Sequence, residues 1–105
     1  MKTLSELVAE IAYVQEAEVT EWIAAAWLHP IREEDRYLFS EAEEARLRLI
    51  VEMRYDMGVE TDIMPLVLSL LDQLYGARCQ LHALSRAVAA QPESVRAAIY
   101  ALLRR

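Results

Sequence analysis

The 105-residue chain contains one cysteine, two histidines, two glycines and three prolines. A single cysteine excludes an internal disulfide and any cysteine-based zinc cage, and it fits a reducing compartment. So few glycines and prolines exclude a linker-rich chain and disfavour a β-sandwich, which needs turn residues every ~8–12 positions. No uncharged run approaches the ~18–20 apolar residues that span a bilayer. The acidic Glu6 and Glu10 fall where a signal peptide requires an apolar stretch. We expect a complete, cytoplasmic chain. His29 lies in a Leu28-His29-Pro30 turn, and His82 lies three residues from Cys79, half of the ligand set a structural zinc needs. There is no glycine-rich phosphate loop and no paired-histidine metalloprotease motif. Adjacent carboxylates such as Glu33/Glu34 and Glu43/Glu44 read as solvated surface rather than as an acid–base pair. The expectation is a protein without catalytic residues, metal or cofactor.

What is present is a folding composition, 55% hydrophobic and 27% charged, at the length of about one domain. The net charge of −6 is unevenly distributed: residues 1–62 carry −9 and residues 63–105 carry +3. An acidic half repels nucleic acid and anionic membranes and favours a basic partner.

The apolar positions recur at helical spacing over most of the chain. Thr3 and Glu6 form a capping box before Leu4, Leu7, Val8 and Ile11. A second helix is expected over about Gln15 to Ala26, with Val19, Trp22, Ile23 and Ala26 on its apolar stripe. Pro30 ends this pair, because proline holds its predecessor extended. Arg32-Glu33-Glu34-Asp35-Arg36 makes a charged tip between Ile31 and Tyr37/Phe39, read as a two-stranded wing. Ser40 and Glu43 cap a third helix, and Gly58 stops it. From Ile63 the positions Ile63, Val67, Leu70, Leu74, Ala77, Leu81, Leu84 and Val88 alternate spacings of four and three, an unbroken heptad seam. Pro92 opens a last helix bearing Val95, Ala98, Ile99, Leu102 and Leu103. The fold class read from this pattern is all-α with a small β wing: a head over 1–60, and a second region, 61–105, holding a long helix (about 62–90) and a terminal helix (about 92–104). The seam exceeds what the head can cover. It needs the terminal helix or a second copy of the chain, and Val67, Leu70, Leu74, Leu81 and Leu84 are assigned to a homodimer interface.

In that order, Trp22-Ile-Ala-Ala-Ala-Trp-Leu-His-Pro30, the charged tip, Tyr37-Leu-Phe-Ser40, Met57-Gly-Val59 and the long helix resemble the MerR-type winged helix-turn-helix superfamily. Leu70-Leu-Asp-Gln-Leu-Tyr75 and the overall length resemble the chaperone modulator CbpM group within it. The resemblance covers about residues 4–90. It implies one of two functions. Transcriptional members bind DNA through the second helix and wing. Modulators bind the J domain of a DnaJ/CbpA-like co-chaperone and inhibit it.

The residues bear on that choice. A recognition helix needs basic or amide side chains toward phosphates and base edges, whereas Gln15–Ala26 carries Glu16, Glu18 and Glu21 and no base. The wing adds Glu33, Glu34 and Asp35. We expect these six acids, with Trp27 at the helix end, to form a partner-binding face for the J domain, whose resemblance-implied feature is a basic helix. The alternative, a MerR-like DNA-binding regulator, draws support only from the basic second half, with Arg78, Arg86, Arg96, Arg104 and Arg105. A third reading is a helical dimer with a different partner.

Overall fold

The computed structural model describes residues 1–104. These form, in order, β1 (Lys2–Thr3), α1 (Leu4–Glu10), α2 (Glu16–Ala24), β2 (Ile31–Glu33), β3 (Arg36–Phe39), α3 (Glu41–Val51), a π-helical turn (Glu52–Asp56), α4 (Met64–Ala89) and α5 (Glu93–Leu103). The protein is mainly helical, with one small antiparallel sheet.

The helix starts form where their caps dictate. The Glu6 amide donates to Thr3 Oγ1 at 3.2 Å, and the Glu43 amide donates to Ser40 Oγ at 3.2 Å. Each bond satisfies a backbone donor that the first helical turn cannot. The Glu43 carboxylate does not complete its capping box. It accepts instead from the His29 amide at 3.0 Å, while Arg46 Nε donates to the Trp27 carbonyl at 2.6 Å. Two side chains of α3 thus hold the chain leaving α2 and set the start of the hairpin.

That exit is a tight reversal. Ala26 is left-handed (φ 64°), the Ala26 amide donates to Ile23 O, and the Trp27 amide donates to Trp22 O, each at 3.0 Å. This is a Schellman closure with alanine where glycine is usual. It turns Trp27 inward, stacked on Trp22 with ring centroids 5.8 Å apart, and both rings are buried.

The segment expected as a two-stranded wing lies in a three-stranded sheet in the order β1-β3-β2, one strand more than expected. Glu33 pairs with Arg36 across a two-residue turn in which Glu34 takes φ 55°, and Lys2 and Thr3 pair with Phe39 and Leu38. Two residues immediately before a capped helix give no alternating pattern, so β1 is invisible to periodicity. The third helix ends near Gly58 as expected, with Gly58 at φ 71° and the Val59 amide donating to Met53 O at 2.9 Å. Its last stretch widens into the π turn.

The chain divides into two compact units, Met1–Leu68 and Ser69–Arg105. The division falls within α4, later than the expected boundary at residue 60, because Met64 and Leu68 are buried with the first unit. Leu7, Val19, Trp22, Trp27, Leu28, Phe39, Leu47 and Ile50 complete most of that unit's core. In the second unit, α4 beyond Leu68 and α5 bury no side chain among the described residues. Leu70, Leu74, Leu81 and Leu84 are 49–64% exposed, so the terminal helix leaves the seam uncovered. Arg105 lies outside the described residues. No helix among those described is long and apolar enough to cross a membrane.

Candidate partner-binding face

The acids expected on one face fall into two groups. Glu16 and Glu18 lie in the first turn of α2, where carboxylates are favoured by the positive helix end. Glu16 accepts from the Ser5 hydroxyl at 2.8 Å and lines a cavity of about 250 Å3 with Thr3, Thr20, Asp35, Arg36 and Tyr37. This cavity brings Glu16 together with Asp35 from the hairpin turn. Glu33 and Glu34 are exposed on the same hairpin. Arg32 and Arg36 flank them, and the Arg32 guanidinium lies 6.0 Å from the Tyr37 ring centroid.

Glu18 and Glu21 form the second group. They line a notch of about 340 Å3 with Tyr13, Gln15, Ala17 and Tyr55. The Tyr55 hydroxyl donates to the Glu18 carboxylate. That bond, then burial, raises the Tyr55 phenol above its ordinary value of 10.0, because the carboxylate favours the protonated phenol. The Tyr13 and Tyr55 rings stand 6.1 Å apart, tilted by 31°, and Arg54 lies 5.6 Å from the Tyr55 ring centroid. Tyr13 is left-handed (φ 74°) and 76% exposed.

Trp27 does not belong to this face. It was expected there because it ends α2 beside the wing, but it is buried, since the Ala26 reversal folds it onto Trp22. The two tyrosines were missed for a different reason. They lie 42 residues apart and meet only in the folded unit. The signal that does exist is local: an aromatic, Tyr13, three residues before the first acid of α2.

Elsewhere on the same unit, Lys2 Nζ lies 2.9 Å from Glu10 and 3.0 Å from Glu44, and Arg48 bonds to both acids. The network ties β1, α1 and α3 together. Lys2, through its bonds to Glu10 and Glu44, is raised above 10.5, and Glu44 is lowered below 4.5, chiefly by Lys2.

On α4, Cys79 is exposed beside Tyr75, His82, Arg78 and Arg86. No group of three metal-ligating side chains occurs among the described residues. Comparison with known proteins finds no matching family model, no matching curated protein and no matching solved structure.

Proposed function

We propose that this chain is a non-enzymatic adaptor with a winged helix-turn-helix-like head. Its acidic face binds the J domain of a DnaJ/CbpA-like co-chaperone and inhibits co-chaperone activity by covering the basic surface that engages the main chaperone. The observation that carries this reading is the charge of α2 and the hairpin. Glu16, Glu18 and Glu21 stand on α2, on two sides of it, without a single lysine or arginine on the helix, and the hairpin adds Glu33, Glu34 and Asp35. Against DNA phosphates such a face is repulsive. Against a basic helix it speeds encounter and selects the partner.

The exposed seam of α4 supports a second element of the proposal, a homodimer through Val67, Leu70, Leu74, Leu81 and Leu84. Four leucines at heptad positions, each about half exposed or more, match a helix of the same period.

The test is calorimetric titration with a purified J domain, paired with the co-chaperone's stimulation of chaperone ATPase activity. We expect binding that weakens steeply with salt, and inhibition that follows occupancy. Glu16→Lys with Glu21→Lys is expected to weaken binding by about tenfold or more. Unchanged affinity in that variant removes the acidic face from the model. Absence of J-domain binding by the unaltered chain overturns the adaptor reading.

A further inference from the structure

The acidic face has one site on it that is more than charge. In the notch of the first unit, the ring of Tyr13 stands exposed at the edge, the ring of Tyr55 stands 6.1 Å away, and the carboxylates of Glu18 and Glu21 line the same space. The elements arrive independently: Tyr13 from the link between α1 and α2, the acids from α2, and Tyr55 from the π turn. Insertion of one residue in a helix re-aims the side chains of that turn, and such turns are frequent at functional sites. Here the widened turn carries Tyr55, whose hydroxyl bonds to Glu18.

We propose that this notch receives a lysine or arginine side chain from a basic helix of a protein partner. The aliphatic stem would lie against the tyrosine faces, and the cation would meet Glu18 and Glu21. Two features favour this occupant. The Tyr13 ring, 76% exposed and lining the notch, offers an aromatic face to a partner cation. The phenol takes up only part of the accepting capacity of the Glu18 carboxylate, which has about four lone-pair sites, and Glu21 is exposed one turn further along α2. A bare acidic surface would attract any basic protein. A ring-lined notch adds selection for a side chain that can lie flat on an aromatic face.

The identity of the partner rests on the adaptor reading; the chemistry of the notch does not. Two probes therefore separate them: a purified J domain, and a short helical lysine-rich peptide with a glutamate-rich counterpart as control. Ring signals of Tyr13 and Tyr55 are followed by NMR during each titration. We expect the lysine-rich peptide to shift both rings and the glutamate-rich peptide to shift neither. Tyr13→Ala is expected to weaken peptide and J-domain binding about threefold to fivefold, and Tyr13→Phe to restore it, because the ring rather than the hydroxyl does the recognition. At 76% exposure, Tyr13 can be truncated without opening the core. Shifts confined to other residues, or equal affinity for Tyr13→Ala and the unaltered chain, overturn the notch. If the J domain binds with full strength to Tyr13→Ala, the notch fails and the adaptor reading stands. If the peptide shifts both rings while the J domain does not bind, the notch stands and the adaptor reading fails.

Discussion

Replacing Leu74 by aspartate tests the dimer where its energetics are most readable. Leu70, Leu74, Leu81 and Leu84 are 56%, 49%, 64% and 62% exposed. Full burial of a leucine contributes about 1.5–3 kcal/mol, so removing the remaining half contributes about 1.2 kcal/mol each. Eight leucines in two copies give about 10 kcal/mol. Association costs at least about 4 kcal/mol, which leaves at most about 6 kcal/mol and a Kd no tighter than tens of micromolar. Leu74→Asp removes about 2 kcal/mol of burial across the two copies. It also places two unpaired carboxylates in an apolar seam, at a further cost of several kcal/mol.

The combined loss, at least about 4 kcal/mol, is a factor of about 1,000 in Kd and leaves the variant monomeric at any practical concentration. Sedimentation equilibrium over about 5–300 μM reads the constant directly, a span chosen to bracket tens of micromolar. His82→Asp places the same charge next to the seam but off it, and is expected to dimerise like the unaltered chain. A Kd for Leu74→Asp within a factor of about three of the unaltered chain, or an unaltered chain that stays monomeric throughout, refutes the reasoning.

Two further outcomes concern the first unit. Ala26 holds a left-handed conformation that costs an L-residue about 1–2 kcal/mol. Ala26→Gly is therefore expected to raise stability by about 0.5–1 kcal/mol in urea unfolding, net of the extra freedom glycine has when unfolded. Glu44 is lowered in the folded chain, so its contribution is present above 4.5 and is lost as pH falls through the lower folded value; Lys2 is raised, so its share is present below 10.5 and is lost above it. The stability difference between the unaltered chain and Glu44→Gln is expected to be flat between those limits and to shrink on the acid side, as read by unfolding series at several pH values.

Much of the fold was legible because its signals are local. Thr3 and Ser40 cap α1 and α3 as their capping boxes predict, Gly58 closes the third helix in the left-handed conformation, and the seven-residue repeat marks α4 almost to the residue. The strand β1 and the grouping of the acids were missed for one cause, which is pairing at a distance, and Trp27 for a local one. β1 exists only because Thr3 and Lys2 meet Leu38 and Phe39 across the sheet. Trp27 was expected on the partner face because it ends α2 beside the charged hairpin; the reversal that buries it is closed by an alanine, which carries none of the signal a glycine would. The acids of the face were readable as charge, but their division into two groups was not. Glu16 belongs with Ser5 and Asp35, and Glu18 belongs with Tyr55, through contacts that span 11 and 37 residues of chain to the hydroxyls.

That division changes how charge reversal on the face should be interpreted. A helix that merely solvates three glutamates would tolerate lysine at all three positions. Here Glu16 and Glu18 each accept a hydroxyl from another part of the unit, so lysine at either position removes a structural acceptor along with a negative charge. Glu21 lines the notch and accepts no such hydroxyl among the described residues. A single Glu21→Lys substitution therefore separates electrostatic recognition from fold maintenance more cleanly than the full reversal. Its effect on partner affinity, with thermal stability unchanged, carries the decisive information about whether this acidic surface exists to meet a basic one.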